Sequence, residues 1–208
     1  MKTFCISIYN QNYSFFVENN LTPVGLGNNH FSKEWINDKF ENDISNKNKN
    51  FGEYTFHYRL WKDASLNKKK DDWVGFCTYR RFWIKKNSEQ PKNMKELSHS
   101  ILREVPREWN SYDCILAEPI VLGKQKLMKL LKNNFMYILK KPSILINRCS
   151  VKDHFYLNHG KFFLDNAIKL LEANEQDKFQ NYLNGYEFNP HNLFICKNFQ
   201  LLENFYNK

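Results

Sequence analysis

Apolar runs alternate with amphipathic stretches along this chain of 208 residues. Runs rich in β-branched and aromatic residues predict four strands, at residues 3–9, 73–77, 112–118 and 192–196. Apolar residues at helical spacing predict helices at residues 51–62, 94–105, 124–141, 162–179 and 199–206. Residues 21–29 contain one proline and two glycines and predict a turn region, while the polar residues 30–50 predict a loop. Because strands alternate with helices, the pattern predicts an α/β fold with a mainly parallel sheet.

Two of the predicted helices carry recognisable start signals. Asn50 with Glu53 resembles a capping box before the helix at 51–62, and Asn93 with Glu96 resembles another before the helix at 94–105. In the first of these helices, the aromatic residues fall at helical spacing on one face, namely Phe51, Tyr54, Tyr58 and Trp61.

The run Trp73–Cys77 is continuously apolar, which is typical of a strand that is covered on both faces. It leads directly into Tyr79, Arg80 and Arg81. Ligands of open α/β sheets bind beyond the carboxyl ends of strands, and guanidinium groups match phosphate oxygens. The sequence therefore predicts a diphosphate site at the two arginines, provided that the chain has left the strand there. The alternative is that one arginine only ties the strand down by pairing with Asp71, Asp72 or Asp113.

The charge of the chain allows three classes of partner. Lysine and arginine outnumber acids by 31 to 22, a net charge of +9, which suits nucleic acid, an anionic membrane or phosphorylated small molecules. A compositional bias towards asparagine and lysine is the simpler alternative. We expect no nucleic-acid partner, because the basic residues are dispersed and no binding motif occurs. The basic helix at 124–141 either lies on an anionic membrane surface or packs on the core.

The cellular location follows from what the sequence lacks. The first ten residues do not form a signal peptide, and no run approaches the roughly 18 apolar residues of a membrane span. The five cysteines show no C-x-x-C spacing, and four lie in apolar runs, where a thiol behaves as a small core residue: Cys5, Cys77, Cys114 and Cys196. We expect a cytoplasmic protein with peripheral contact at the inner membrane surface, without a zinc site.

Three further features of the sequence are weaker candidates for functional sites. Asp71-Asp72 precedes its strand and is interpreted as a solvated turn rather than as a metal-binding pair. Gly25 and Gly27 lack the third glycine of a phosphate loop. His191 follows a proline and precedes an apolar strand, which makes it the most interesting histidine.

Four segments of the chain carry a resemblance, in order and over nearly the whole length: 44-ISNKNKNFGEYTFHYRLWK-62, 72-DWVGFCTYRRF-82, 112-YDCIL-116 and 192-NLFIC-196. They resemble the hallmarks of a glycosyltransferase family of bacterial capsule and exopolysaccharide loci, long catalogued as a domain of unknown function. A looser match is 23-PVGLG-27. The chain departs from the family at Thr78, where the family usually has histidine, and at Tyr9-Asn10, where it often has His-Lys.

The resemblance implies one GT-A-like domain over residues 1–208. The implied activity is transfer of a sugar, from a UDP-sugar in particular, to a glycan or lipid-linked glycan acceptor of a capsular or other surface polysaccharide. It implies donor contacts for Tyr9, Lys47, Asn48, Glu53, Thr78, Tyr79, Arg80 and Arg81. Asn192 is expected near the acceptor. An inverting enzyme needs a base, for which Asp113 and His191 are our candidates within a wider set that includes Glu118 and Asp165.

The resemblance also raises the question of a metal cofactor. GT-A enzymes usually bind a divalent ion through an Asp-x-Asp pair, and residues 78–81 occupy about that place here. Our hypothesis is that arginine replaces the metal, so that no cofactor is expected besides the nucleotide-sugar substrate, and a divalent metal is the less favoured alternative. The alternatives are a catalytically inactive subunit that binds nucleotide-sugar or glycan, motivated by Thr78, and a nucleic-acid-binding protein.

Overall fold

The structure, a computed structural model, describes residues 1–66, 72–123, 135–145, 148–189 and 191–207. The chain packs as two compact units. The first contains Met1–Ala117 and Asn192–Lys208, and the second contains Glu118–His191. The second unit is therefore inserted into the sequence of the first. The single glycosyltransferase domain proposed for residues 1–208 stays a prediction.

A six-stranded sheet forms the centre of the first unit. Its strands are β1 (Lys2–Ser7), β2 (Leu21–Gly25), β3 (Ile36–Asn37), β4 (Val74–Thr78), β5 (Cys114–Leu116) and β8 (Phe194–Cys196). They lie side by side in the order β3-β2-β1-β4-β8-β5. The first four strands are parallel, and β8 runs antiparallel to both of its neighbours, β4 and β5. The mixed α/β fold with a mainly parallel central sheet is thereby confirmed.

The predicted turn at residues 21–29 is wrong, because Leu21–Gly25 form β2, a buried strand beside β1. Its glycine is required by packing rather than by a turn. The ring of Phe31 lies against the position where a Cβ of Gly25 would be, so a side chain there would collide with it. The predicted loop at 30–50 likewise contains the short strand β3 and two short helical segments.

Helices cover both faces of this sheet, which explains the continuous burial of β4. The helices of the first unit are α1 (Tyr13–Glu18), α2 (Asn48–Phe51), α3 (Tyr54–Lys62), α4 (Met94–Ser100) and α9 (Phe199–Tyr206). One face packs Phe4 and Phe76 against Phe56 of α3 and Leu202 of α9. The other face packs Cys5, Cys77 and Leu21 against residues that include Phe16 of α1 and Ile101 after α4.

The start of α3 differs from its prediction. Gly52, with a φ of 55°, separates α2 from α3, and Glu53 occupies the cap position with no side-chain capping bond in the described structure. The capping box of Asn50 and Glu53 is therefore wrong. The buried side of α3 consists of Thr55, Phe56, His57 and Leu60. The predicted aromatic face is largely solvent-exposed, since Phe51 and Tyr54 are about half exposed.

Caps elsewhere follow the sequence more closely. The Asn93 side chain accepts a hydrogen bond from the Glu96 N–H at 3.0 Å, as predicted, although α4 ends at Ser100. Asn198 caps α9 by accepting from the Leu201 N–H at 2.9 Å, and this helix has its predicted bounds.

His57 is a buried histidine in the core between α3 and the sheet. Its ring lies 4.6 Å from that of Phe76, and its Nδ1 is 2.6 Å from the Tyr206 hydroxyl. Its Nε2 has no hydrogen-bond partner among the described residues. Burial lowers the pKa of His57 from 6.5 to about 4, so the ring is neutral at pH 7.

The second unit combines helices with a two-stranded antiparallel ribbon. Its elements are β6 (Ile120–Val121), α5 (135–140), α6 (Val151–His159), α7 (Lys161–Ile168), α8 (Ala173–Asn184) and β7 (Glu187–Phe188). The single helix predicted at 162–179 is thus two helices separated by residues 169–172. Asp153 is buried and accepts hydrogen bonds from Tyr137, Lys141 and Ser150. Burial alone would raise its pKa, but these donors hold the pKa below its ordinary value.

Most of the basic helix predicted at 124–141 lies outside the described residues, which resume at 135. Ile138 in its described part is buried, whereas Met136 and Leu139 are exposed. In the part of the chain that the structure describes, no helix combines the length and apolar character needed to cross a membrane.

Candidate functional site

A tight turn presents the two arginines at the carboxyl end of β4. The N–H groups of Thr78 and Arg81 each donate to the other residue's carbonyl, at 3.1 and 3.0 Å. The Tyr79 N–H still donates to the Ile6 carbonyl, which extends the ladder to β1 by one residue. The chain has therefore left the strand at Arg80, which is the condition under which both arginines can serve one ligand.

The segment after this turn is fixed on both sides. The Trp83 indole Nε1 donates to the Phe76 carbonyl at 2.9 Å, which ties the segment back to β4. Backbone bonds from Lys85 to Ser100 and from Leu102 to Trp83 join it to the end of α4. The turn is consequently held by the sheet and by a neighbouring helix rather than by its own residues alone.

Both guanidinium groups are exposed and lack a carboxylate partner in the described structure. The Arg80 guanidinium carbon lies 5.0 Å from the centre of the Tyr79 ring, a cation–π contact that leaves its N–H donors available. Asp72 and Asp113 form no ion pair with either arginine, and Asp71 lies outside the described residues. A concentrated positive charge that has no carboxylate counterion among the described residues is thus available for an anionic ligand.

An open groove of about 630 Å³ begins at this turn. It runs between α1 and α4 and is lined by both polar and apolar side chains: Gln11, Phe15, Tyr79, Arg80, Arg81, Phe82, Ile84, Gln90, Pro91, Met94 and Leu97. Ligand sites commonly combine an apolar lining with a few polar groups that fix orientation. The groove has this composition, with two positive charges on one segment whose backbone is held by hydrogen bonds.

Tyr9 stands beside the turn, at the carboxyl end of β1. The Ser7 hydroxyl donates to the Tyr9 carbonyl at 2.7 Å and accepts from the Tyr9 N–H at 3.0 Å, which fixes the backbone. The Tyr9 ring is 58% exposed and meets the Tyr79 ring edge to face, with ring centres 5.6 Å apart. Two aromatic side chains thereby border the arginines.

A buried polar network holds the loops after β2 and β3. The Gly27 N–H donates to both carboxylate oxygens of Asp38 at 3.1 Å, and the Thr55 hydroxyl donates to Asp38 Oδ2 at 2.5 Å. Asp38 and Thr55 are fully buried. The Asn48 side-chain amide donates to Thr55 Oγ1 at 3.1 Å and to the Gly52 carbonyl at 2.8 Å. This network connects the loop at the end of β2 with the start of α3.

We expect Thr55→Val to lower the free energy of unfolding by about 2 kcal/mol, because the buried Asp38 carboxylate loses a charge-assisted hydrogen bond. Urea unfolding of both proteins measures the difference. Thr22→Val is the matched control, since Thr22 is half-buried in β2 and its hydroxyl has no partner in the described structure. Equal losses in the two variants would contradict the role given to the Asp38 bond.

Three further predicted donor residues lie in or beside this network, whereas a fourth belongs to the arginine turn. Lys47 is exposed in the helical turn Ser45–Lys47, and Glu53 is half-buried at the cap of α3. Both amide hydrogens of Asn48 are already engaged, so its Oδ1 is the side-chain atom left for a ligand. Thr78 forms the base of the arginine turn. Direct contacts of these residues with a donor stay predictions.

The structure separates the candidates for acceptor and base. Asn192 lies at the amino end of antiparallel β8, at the same sheet edge as the carboxyl ends of the parallel strands, and its Oδ1 accepts from the Tyr54 hydroxyl at 3.1 Å. Asp113 precedes β5, which runs in the direction of β4, so it lies at the opposite edge. The structure therefore does not bring Asp113 together with the arginines. Glu118, Asp165 and His191 belong to the second unit.

The residues at the turn do not suit a divalent metal ion. Metals such as magnesium and manganese prefer carboxylate, carbonyl and water oxygens, whereas residues 78–81 supply a threonine, a tyrosine and two cations. Among the described residues, no group of three or more histidine, cysteine, aspartate or glutamate side chains could hold a metal ion. The turn therefore does not provide the ligand set that a divalent ion needs.

Sequence reasoning missed part of this site. Asp38 lay in a segment predicted as loop, where nothing marks one acid among many polar residues as buried. Phe15 and Met94 line the groove from α1 and α4, and their meeting depends on the tertiary fold. Thr55 did carry a signal, because it belongs to the first segment of the resemblance.

Comparison with known proteins adds a family and a fold. The sequence family described as a domain of unknown function (DUF4422) matches residues 5–207. No curated protein matches the chain. Among solved structures, the apo structure of the bifunctional glycosyltransferase WbbM is similar, with a TM-score of 0.61 and 14% identity. The match covers 100% of this chain and 35% of that one, so the chain spans about a third of the length of WbbM.

Proposed function

The chain belongs to the family described as a domain of unknown function (DUF4422) and shares its fold with a glycosyltransferase, and we propose on this basis that it transfers a sugar from a nucleotide-diphosphate donor. The donor in the proposal is a UDP-sugar, and the acceptor is a growing capsular or other surface polysaccharide. The observation that carries the proposal is the pair of arginines at the carboxyl ends of the strands of a mainly parallel sheet, with no carboxylate partner in the part of the chain that the structure describes.

The proposed chemistry places the diphosphate of the donor against Arg80 and Arg81. An acceptor hydroxyl oxygen forms the new bond to the anomeric carbon, and the bond from that carbon to the β-phosphate oxygen breaks. The hydroxyl proton passes to a general base or to the departing diphosphate. The electron pair of this bond leaves with the nucleoside diphosphate, whose charge increases in the transition state. Fixed guanidinium groups stabilise that increase more than they stabilise the ground state, which accelerates the reaction.

The other side chains have supporting roles in the proposal. Tyr9 and Tyr79 border the diphosphate position with aromatic surface on which a nucleobase can stack. The network of Gly27, Asp38 and Thr55 positions the neighbouring loop that carries Lys47 and Asn48. Asn192 lies at the same sheet edge, where an acceptor can approach. Asp113 has no part in this mechanism because it lies at the other edge.

We expect UDP and UDP-sugars to raise the apparent melting temperature of the protein in the presence of a chelator. Binding to the native state alone stabilises it by about 2.7 kcal/mol at a ligand concentration of 100 Kd. For a chain of this size that corresponds to an increase of roughly 5–10 °C. A thermal-shift panel of UDP, GDP, CMP and their sugars, with and without manganese, measures the effect and selects the donor class.

The double variant Arg80→Ala/Arg81→Ala provides the matched comparison and should lose the shift. Arg107→Ala, at another exposed arginine outside the groove, should retain it. A shift that requires manganese would refute the metal-free site. Binding without transfer or hydrolysis of any sugar nucleotide would identify an inactive binding subunit, and a salt-dependent shift with RNA or DNA but none with nucleotides would refute the proposal.

A further inference from the structure

Two cysteines face each other on the outermost strand of the central sheet, β5, and its neighbour β8, away from the arginine turn. The sulfur atoms of Cys114 on β5 and Cys196 on β8 lie 3.9 Å apart, and the residues are direct partners in the antiparallel register. The Lys197 N–H donates to the Asp113 carbonyl, and the Ala117 N–H to the Leu193 carbonyl. The first bond is adjacent to the cysteine pair, and the second is adjacent to the pair Leu116–Phe194, two positions along the ladder. Because pair types alternate along an antiparallel ladder, both pairs are of the non-hydrogen-bonded type, the closer of the two.

This register brings the two backbones to the spacing of a disulfide. Opposite Cα atoms in non-hydrogen-bonded pairs are about 4.5 Å apart, and disulfides join Cα atoms about 4.4–6.8 Å apart. A bond between the two sulfurs therefore needs side-chain rotation and no change of strand register.

The two thiols differ in accessibility and acidity. Cys114 is exposed, whereas Cys196 is buried with 7% of its surface accessible. The Cys196 S–H donates towards the Cys114 sulfur and lowers the pKa of Cys114 to about 7. The same contact, together with burial, raises the pKa of Cys196. One sulfur is thus exposed and partly ionised at neutral pH, and the other is protonated beside it, which is the arrangement of an attacking and a resolving thiol.

No other cysteine of the chain combines a facing thiol, an exposed sulfur and a lowered pKa. Cys5 and Cys77 are also register partners, on the parallel strands β1 and β4, but both are buried in the core, and burial raises the pKa of Cys5. Cys149 is buried in the second unit, and burial raises its pKa to about 11. They provide an internal control for any reaction that depends on access and ionisation.

We propose that Cys114 and Cys196 form a peroxide-responsive thiol pair that closes into a reversible disulfide, a property separate from the proposed sugar transfer. The Cys114 thiolate attacks a peroxide oxygen, the O–O bond breaks, and Cys114 becomes a sulfenic acid. The remaining peroxide oxygen leaves as water or an alcohol after taking up the proton that the thiol released. The Cys196 sulfur then attacks the Cys114 sulfur, the S–O bond breaks, and water leaves with the Cys196 proton.

The test exposes the full chain to hydrogen peroxide at neutral pH and maps its cysteines under non-reducing conditions. We expect a mass loss of two hydrogen atoms, a peptide pair that joins Cys114 to Cys196, and free Cys5, Cys77 and Cys149. The bond closes a long loop, since the cysteines are 82 positions apart. The oxidised form should therefore melt several degrees higher than the reduced form, and a dithiol reductant should reverse the change.

Single serine variants separate the two roles. In Cys196→Ser, Cys114 should accumulate as a sulfenic acid that dimedone traps, whereas Cys114→Ser should form neither sulfenic acid nor disulfide. A bridge that involves Cys5, Cys77 or Cys149 would overturn the proposal. So would a Cys114 disulfide between two copies of the chain, or oxidation of Cys114 without a bond to Cys196.

Discussion

We expect alanine at Arg80 or at Arg81 to lower kcat/KM for sugar transfer by about 10²–10³-fold, with little change in stability. Removal of one preformed donor to a developing charge typically has an effect of this size. Both side chains are exposed and take part in no ion pair in the described structure, so the fold does not depend on them. Initial rates with the donor selected by the binding panel give kcat and KM separately.

Lysine variants test the geometric part of this prediction. Arg81→Lys keeps the charge but loses the planar fork that binds two phosphate oxygens together, so we expect an intermediate rate. Arg107→Ala is the control for loss of one exposed guanidinium elsewhere and should retain the wild-type rate. A folded Arg80→Ala/Arg81→Ala protein with wild-type kcat/KM would refute the assignment. An increase confined to KM would mean that the arginines bind donor and transition state equally.

The second large effect is a loss of stability in mild acid that arises from His57. Its pKa is about 4 in the folded protein and 6.5 in the unfolded chain, so between these values the unfolded state binds more protons. Its contribution is fully present above pH 6.5 and is lost progressively as the pH falls to about 4. The difference corresponds to about 3 kcal/mol of unfolding free energy.

The measurement compares urea unfolding of the wild type and His57→Gln at pH 7, 6, 5 and 4. Glutamine is neutral throughout this range and keeps a polar group near the Tyr206 hydroxyl, so other titrating groups cancel in the difference. We expect the wild type to lose about 3 kcal/mol more than the variant between pH 7 and pH 4. Parallel pH profiles would show that His57 protonates in the folded state as readily as in the unfolded chain.

The sequence predicted the elements whose signals are local. β4 has a continuous apolar run because helices cover both its faces, and α9 has an asparagine cap followed by an amphipathic pattern. Both signals belong to the elements themselves. The arginine turn was also predictable, because an abrupt change from apolar residues to cations marks the end of a buried strand.

β2 was not predicted because its glycine and proline are explained by tertiary packing and strand pairing rather than by a local turn. Gly25 is small because the Phe31 ring packs directly on it. Pro23 is tolerated because β3 pairs only with Val24 and Gly25, so Pro23 has a strand neighbour on one side. For Cys114, the local pattern predicted burial and the tertiary structure leaves the residue exposed. It was predicted as a core residue from its apolar run, but β5 is the edge strand of the sheet and leaves it exposed.

The Asp38 network could not be predicted from the sequence for a different reason. A buried carboxylate and a surface carboxylate look alike in a polar segment, and the partners of Asp38 come from Gly27 and Thr55, on either side of it in the chain. The separation of Asp113 from the arginines depends on the directions of β4, β8 and β5 in the sheet. The spacing of apolar residues along the sequence does not indicate strand direction.

The position of β8 has a consequence for the order of folding. This strand lies between β4 and β5, although it follows the whole second unit in the chain. On the ribosome, β1 to β4 can pair as soon as they emerge, but β5 has no partner in the sheet until residues 194–196 are available. Pairings between such distant segments form slowly because loop closure comes first. We therefore expect the parallel strands to fold early and the sheet to be completed late, with the β4 edge open to chaperones in the interval.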